Sequence, residues 1–485
     1  MRMTLMLSVS GCRGIVGQTL TPQVASRFAG AFASFLRSRA GGKPVTVVLG
    51  RDGRAGGNML HHAAISGILG SGAHVVDIGI GMTPTVAVGT DRYAEDNPND
   101  FVAGMVLTAS HNPQQWNGLK CLLREGGMHG SSAAAPAARY AGEIIERFNA
   151  GAIDYAGWDT LGVVSDAEGA AGLHVAKLLG ALDEAGFGDP AVLGNNVGAV
   201  VDSVNASGVS GTQALMEALG VGEFLHLGAD DTGIFPHPPE PTAENLAGAG
   251  GLCDAVREQE AQVGFAQDPD ADRLAIVDEG GRYIGEEYTL ALSALAILTA
   301  HKNAGRETKG ETFVTNLSTS RMLDDVCGMF GARVLRTPVG EANVVEVMKR
   351  EGARAGGEGN GGIIWPRVAY VRDSLSAMSL VLWLIRGKGK RLSEVVAGLP
   401  SYAIRKRKVD LARKEDAQVA VEKIARAYAG YKVDLSDGAW VDLADRRSWL
   451  HVRASNTEPI MRLIAEAPTA AGADALLDEA ARAIG

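Results

Sequence analysis

Three aspartates within five residues, in Asp268-Pro-Asp-Ala-Asp-Arg273, carry the strongest chemical signal in this chain of 485 residues. Carboxylates at alternating positions converge on one hard cation if the loop curls around it, and an oxygen-only donor set favours Mg²⁺ or Mn²⁺ over zinc. Left alone the three charges repel, so a metal or Arg273 must neutralise them. An EF-hand is excluded, because its glycine and closing glutamate are not at the required spacing. A solvated acidic turn fits less well, since the flanks Gly264-Phe-Ala and Leu274-Ala-Ile-Val read as core strands. A second loop, Thr108-Ala-Ser-His-Asn-Pro113, sets the Ser110 hydroxyl beside the His111 imidazole. That hydroxyl could act as a nucleophile or carry a covalent phosphate. Taken alone, the same residues also make an ordinary tight turn.

Two further loops bear polar groups suited to a phosphorylated sugar. Gly356-Gly-Glu-Gly-Asn-Gly-Gly362 formally satisfies G-x-G-x-x-G at Gly357, Gly359 and Gly362. The dinucleotide fingerprint needs a helix directly afterwards, whereas Ile363-Ile-Trp-Pro366 is strand-like and then broken by proline. The cluster suits polyol recognition instead: Glu358 accepts from hydroxyls, Asn360 donates or accepts, and glycine lets the backbone come close. A plain flexible loop fits these residues equally well. In Arg453-Ala-Ser-Asn-Thr-Glu-Pro459, the Arg453 guanidinium, the Ser455 and Thr457 hydroxyls and the Asn456 amide make a phosphate cradle.

The elements that must position these loops alternate in an α/β rhythm. Strand-like runs at Pro44–Gly50, Ala73–Ile78 and Phe101–Leu107 enclose a helix-like Gly56–Gly70, which predicts a sheet at least partly parallel with its site at the carboxyl ends of the strands. The start, Met3–Leu7, reads as a first strand entering a Gly-rich loop. The Gly151–Gly172 stretch marks a first boundary. A second unit has a strand at Ala199–Asp202 and a helix at Thr212–Leu219, and Phe235-Pro-His-Pro-Pro-Glu-Pro241 continues no regular element. A third unit is expected from Glu258. The last, from about Ser401, combines helices at Glu415–Tyr428 and Ala470–Ile484 with strands at Trp440–Leu443 and Trp449–Val452.

Composition narrows the class. Forty-six Lys+Arg against 56 Asp+Glu gives a net charge of −10, which argues against a nucleic-acid partner. The one basic run, Arg405-Lys-Arg-Lys408, reads as a solvated segment. Four cysteines far apart (Cys12, Cys121, Cys253, Cys327) form no zinc or disulfide pattern and fit a reducing cytosol. The apolar start is shorter than an export signal, and Leu290–Ala300, the longest apolar stretch, is too short to span a membrane. A cytoplasmic protein without a membrane partner is expected.

In order and in kind, the four loops resemble those of the α-D-phosphohexomutase superfamily, and the likeness runs the length of the chain. Supporting matches are Ser10-Gly-Cys-Arg-Gly-Ile-Val-Gly17, Gly50-Arg-Asp-Gly-Arg54, Asn117-Gly-Leu-Lys120 and His237-Pro-Pro-Glu-Pro241. The resemblance implies an α/β fold of four domains around a central cleft: three α/β/α domains with mixed sheets (1–155, 156–257 and 258–385) and a TATA-box-binding-protein-like α+β domain (386–485). The metal loop is expected at or just after the end of the second. The resemblance also implies that Ser110 carries a phosphoryl group beside Mg²⁺ held by Asp268, Asp270 and Asp272. By the same likeness Arg13, His111, Lys120 and Arg273 surround the transferring group, with Lys120 or His111 as the acid/base. Glu358 and Asn360 hold the sugar hydroxyls, and Arg453, Ser455, Asn456 and Thr457 hold the phosphate that stays.

The activity so implied is interconversion of a hexose 6-phosphate and 1-phosphate through a sugar 1,6-bisphosphate, which also primes the enzyme, in a monomer or homodimer. GEGNGG with RASNTEP resembles a branch assigned as phosphoglucosamine mutases, while phosphomannomutase/phosphoglucomutase enzymes share much of it. A metal-dependent sugar phosphatase is the remoter alternative, and has less need of a distal phosphate grip. A non-catalytic sugar-phosphate binder would have no reason to retain Ser110 and all three aspartates.

Overall fold

The computed structural model describes residues 5–124, 132–411, 416–454 and 460–484. It divides into two compact units, 1–307 with 361–396, and 308–360 with 397–485.

The first unit opens with an eight-stranded mixed sheet. Its core strands Val45–Arg51, His74–Ile80 and Phe101–Leu107 are parallel, with Trp116–Arg124 antiparallel to the last of them. Thr21 caps the helix Pro22–Arg39 by accepting from Val24 N, and Pro22 sits in the first turn, where a missing N–H costs nothing. That helix buries Phe28, Phe32, Phe35 and Leu36 in one hydrophobic core with Val45, Val47 and Leu49. Of the strand expected at Met3–Leu7, the described residues show Met6–Ser8 as a strand, and the Gly-rich stretch after it is not a loop. Gly11–Ile15 is a second strand, antiparallel to both Met6–Ser8 and Trp116–Arg124. The close pairing there explains the glycine in Asn117-Gly-Leu-Lys120. A Cβ on Gly118 would lie 2.5 Å from Cys12 O and 2.7 Å from Thr108 O.

The sheet ends at Val164–Asp166, which pairs with His74–Ile80, so a boundary at 155 falls inside it. In the second sheet Gly198–Asp202 lies between Glu223–Leu227 and Val263–Gln267, and Leu274–Asp278 closes the order antiparallel. A boundary at 257 therefore cuts this sheet. Both strands flanking the three aspartates belong to it, and each buries five consecutive residues. No regular element occupies 228–242. The four cysteines are free and buried.

The second unit combines three parallel strands, Arg333–Thr337, Thr312–Asn316 and Ala355–Glu358, with a five-stranded antiparallel sheet. The outer strand of that sheet is Ala403–Asp410, and it pairs with Ile460–Ala467. Helices Asp416–Ala427 and Ala470–Ile484 cover one face and bury Ile424, Leu476 and Leu477 with Val441, Leu450 and Leu463. No helix among the described residues is long and apolar enough to cross a membrane.

Candidate active site

Ser110 follows the strand Phe101–Leu107 at the head of a turn in which its own φ is 49°, a left-handed conformation uncommon outside glycine. Arg54 holds the turn in that shape. Its buried guanidinium donates to Ser110 O at 2.6 Å and Trp116 O at 2.6 Å, while Asp52 accepts from its Nε at 2.8 Å. The Ser110 hydroxyl donates to Asp268 Oδ2 at 2.7 Å and lies 3.3 Å from His111 Nδ1.

The acidic loop is held by three helix starts. Three successive carbonyls, of Pro269, Asp270 and Ala271, each accept from a different one. Ser207, before the helix Gly208–Ala218, donates its hydroxyl to Pro269 O at 2.7 Å. Thr83, first in the helix Thr83–Asp96, donates its N–H to Asp270 O at 3.0 Å and its hydroxyl to Asp270 Oδ2 at 2.7 Å. Ser374, first in Ser374–Lys388, donates its hydroxyl to Ala271 O at 2.7 Å. Helix N-termini carry partial positive charge, so the cradle that shapes the loop also favours its negative charge. Ala271 has a φ of 50°, a second left-handed non-glycine residue in the site.

Side-chain cations complete the neutralisation. Lys120 Nζ lies 3.1 Å from Asp272 and 3.8 Å from Asp270, and Arg372 donates to Asp272 at 2.8 Å. Arg273 stands 4.0 Å from Asp268 and 3.9 Å from Asp272. Arg13, opposite Gly118 in the sheet register, adds its charge towards Asp270 and Asp272. The expected catalytic set Ser110, His111, Lys120, Arg13 and Arg273 is thus brought together with the three aspartates within one unit.

The charges are unequally matched. Burial pushes the Asp268 carboxyl well above the usual range, and Asp270 and Asp272 push it further. Burial would raise Asp272 as well, but Arg372, Lys120 and Arg273 outweigh it and hold this carboxyl down. His111 is lowered to about 3, first by burial and then by Arg273 and Arg13, so its imidazole is neutral.

The three carboxylates offer ligand atoms within 4.8 Å of one another, all buried. Asp270 Oδ1 and Asp272 Oδ1 have no hydrogen-bond partner, and a buried carboxylate oxygen left bare is costly. A hard divalent cation fits this all-oxygen set and would satisfy both atoms.

The second unit holds the other candidates. Glu358 ends the strand Ala355–Glu358 rather than lying in an open loop, so the glycine loop is confined to residues 359–361. Arg453 likewise belongs to the strand Ser448–Ala454. A continuous relay of polar groups joins the two. Asn316 Nδ2 donates to Glu358 Oε1 at 2.8 Å, and Asn316 Oδ1 accepts from Ser318 N at 2.8 Å. Ser318 Oγ lies 2.9 Å from His451 Nδ1, and His451 Nε2 is 2.6 Å from Asp437 O. The Asp437 carboxylate is 3.4 Å from Arg453 Nη1. Asn360 is half-buried beside Glu358. Ser455, Asn456 and Thr457 lie outside the described residues.

Sequence reasoning missed Arg54, Arg372, Thr83 and the relay residues Asn316, Ser318, Asp437 and His451. Arg54 stood in a quoted motif without a role. Arg372, Thr83, Asn316, Ser318 and His451 lie far along the chain from groups they serve, and no local pattern marks them or Asp437.

Comparison with known proteins places this arrangement. Four domains of one family match in succession: phosphoglucomutase/phosphomannomutase alpha/beta/alpha domain I over residues 5–143, domain II over 190–281, domain III over 287–402 and the C-terminal domain over 407–483. The chain belongs to the phosphoglucomutase/phosphomannomutase family. This phosphohexomutase is therefore an isomerase of the α-D-phosphohexomutase superfamily, with its mixed sheets and smaller C-terminal domain as expected. It is 36% identical over 476 residues to a probable phosphoglucosamine mutase of Methanopyrus kandleri, covering 97% of this chain and 95% of that protein. It is 34% identical over 461 residues to a phosphoglucomutase/phosphomannomutase of Thermococcus kodakarensis, with coverage of 94% and 93%. Among solved structures, a phosphoglucomutase/phosphomannomutase family protein of Burkholderia thailandensis matches with a TM-score of 0.74 at 25% identity, covering 99% of this chain and 98% of that one.

Proposed function

We propose that this phosphohexomutase interconverts glucosamine 6-phosphate and glucosamine 1-phosphate through a phosphorylated Ser110 and a sugar 1,6-bisphosphate. The observation that carries the reading is the Ser110 hydroxyl 2.7 Å from Asp268, in a pocket holding three buried carboxylates and the cations Lys120, Arg372 and Arg273. Phosphoryl transfer asks for positioning and charge compensation more than for covalent chemistry, and this is what these residues supply.

Asp268, Asp270 and Asp272 would hold Mg²⁺, which when bound offsets negative charge on the phosphoryl oxygens. Ser110 gives up its phosphoryl group: the Oγ–P bond breaks, a P–O bond to the free sugar hydroxyl forms, and the hydroxyl proton ends on Oγ. His111, with Nδ1 3.3 Å from Oγ, and Lys120 are the groups that pass this proton. Arg13 and Arg273 face the transferring oxygens. Arg453, with Ser455, Asn456 and Thr457, grips the phosphate that stays, and Glu358 and Asn360 accept the ring hydroxyls. The bisphosphate then turns end for end and returns its other phosphoryl group to Ser110. Catalytic amounts of the same bisphosphate would recharge an enzyme that has lost its phosphate.

The sugar assignment rests on the pairing of Gly357-Glu-Gly-Asn-Gly-Gly362 with Arg453-Ala-Ser-Asn-Thr-Glu-Pro459 and on the phosphoglucosamine mutase name of the Methanopyrus relative. The Thermococcus relative makes glucose and mannose phosphates the natural competitors. A coupled assay primed with bisphosphate across glucosamine, mannose and glucose 1- and 6-phosphates decides. Glucosamine phosphate should give the highest kcat/KM; a preference for mannose or glucose would move the assignment to phosphomannomutase/phosphoglucomutase, and phosphate release without isomerisation would overturn the mutase mechanism for this chain.

A further inference from the structure

The eight-stranded sheet of the first unit ends in Val164–Asp166, whose outer edge pairs with no strand among the described residues. The segment leading into it carries an unusual load of exposed apolar side chains. Trp158 is 90% exposed, Tyr155 71%, Val163 62%, Leu161 50% and Val164 48%. Together they expose roughly 500–600 Å² of largely apolar side-chain surface along one short segment.

The backbone beneath these side chains is firmly tied. Ala156 N donates to Gly70 O at 2.9 Å, Gly162 N to Leu69 O at 3.0 Å, and Asp154 N to Ser34 Oγ at 2.9 Å. The fit at Gly162 is so close that a Cβ there would stand 1.8 Å from Ala73 O. A well-anchored segment that turns a tryptophan outward has not simply failed to fold; its apolar side chains are held in water at a cost that burial against a partner recovers.

A second sheet edge in the same chain shows the usual protection. The outer strand Ala403–Asp410 bears Arg405-Lys-Arg-Lys408, and charge along an edge discourages pairing with other chains. The basic run of the sequence finds its explanation there. Val163-Val-Ser-Asp166 has no lysine, arginine or proline, and its β-branched pair favours an added strand.

We propose that the Val164–Asp166 edge and the Tyr155–Val163 segment beside it form an interface with a second copy of this chain. An edge strand can pair antiparallel with its own copy about a two-fold axis, so both copies use one patch and the assembly closes. The exposed apolar area approaches the roughly 800 Å² per partner of a standard interface, the remainder falling to a polar rim. Trp158 and Tyr155 are the residue types that anchor such contacts.

Sedimentation velocity of the full chain at micromolar concentrations should give a dimer. Trp158→Glu combined with Val164→Lys should weaken self-association by about a hundredfold or more, with mutase turnover per chain retained as the sign of an intact fold. Hydrogen exchange of the unaltered protein supplies an arm that needs no variant: amides of 164–166 should slow as concentration rises. A monomer at tens of micromolar, a double variant that dimerises as tightly as the parent, or exchange independent of concentration would each overturn the proposal. So would a monomer that binds only an unrelated protein through this edge.

Discussion

The proposed transfer centre of the first unit and the proposed sugar-phosphate grip of the second are built on different physical plans. Around Ser110 buried carboxylates face buried cations, and the holding is done largely by side chains that donate to loop carbonyls. Three helix starts hold successive carbonyls of the acidic loop, Arg54 holds the serine turn, and both loops contain a left-handed non-glycine residue. Around Arg453 and Glu358 the holding is done by a relay of mostly neutral side chains, Asn316, Ser318 and His451. The contrast follows from the two tasks. On the proposed mechanism a phosphoryl group must meet its acceptor in one geometry, whereas the grip would take the same sugar in two orientations, with either phosphate seated.

Loss of the hydroxyl should therefore be the most damaging single change. Ser110→Ala is expected to lower kcat by about 10⁴-fold or more while substrate binding stays measurable. Intact mass and peptide mapping of the parent should find phosphate on Ser110 and none in the variant. Turnover near the parent rate would break the comparison at its root.

Next in size is the acidic loop. Asp270→Asn removes a proposed metal ligand and one of three repelling charges, so activity should fall by about 10³-fold while the cation-free protein melts no lower than the parent. The parent should gain thermal stability on adding Mg²⁺, because a ligand that binds only the folded state stabilises it; the variant should gain far less. An unchanged Mg²⁺ titration would show that the loop holds no metal.

These two predictions concern the part of the molecule that was most legible beforehand. Asp268, Asp270 and Asp272 could be read because chemistry and spacing sit in one loop flanked by continuous apolar runs. Ser110 and the helix Ala470–Ile484 were legible for the same local reason. What the sequence hid was long-range. Arg372 reaches Asp272 across 100 positions, and Thr83 reaches Asp270 across 187. The pairing of Gly198–Asp202 with Val263–Gln267 spans the expected boundary near 257, because parallel pairing leaves no local mark in the sequence. Gly11–Ile15 looked like a loop because its glycines serve close strand approach rather than a turn, as the 1.9 Å from a Cβ on Gly11 to Leu119 O makes plain.

The grip should respond to damage in KM more than in kcat. Arg453→Ala removes the proposed phosphate contact, and a rise in KM of about 10²-fold is expected, steepening with ionic strength lost from the parent. If kcat fell and KM held, Arg453 would belong with the transfer centre and the division drawn above would be wrong. Ser318→Ala interrupts the relay at its middle without touching either end. A net hydrogen bond contributes about 1 kcal/mol, so KM should rise only about three- to fivefold. Ser318→Thr, which keeps the hydroxyl, should restore most of it.

The smallest effect is one of sign, and it sets two histidines against each other. In the first unit the His237 imidazole lies 2.8 Å from Asp202, and this hydrogen bond raises it above the ordinary value of about 6.5. Its contribution to stability is complete below that value and is lost as pH rises through the higher folded-state value. In the second unit burial lowers His451 below the ordinary value. The unfolded chain then binds the extra proton, so stability is present above about 6.5 and is lost as pH falls towards the lower folded-state value. His237→Gln should therefore cost the protein more at pH 6 than at pH 8, and His451→Gln should flatten the loss of stability between pH 6.5 and pH 5. Thermal midpoints of the parent and both variants across this range measure the difference directly. Equal slopes for the two variants would mean that neither histidine changes its proton affinity on folding, and that the charge-held and neutral plans do not differ in this respect.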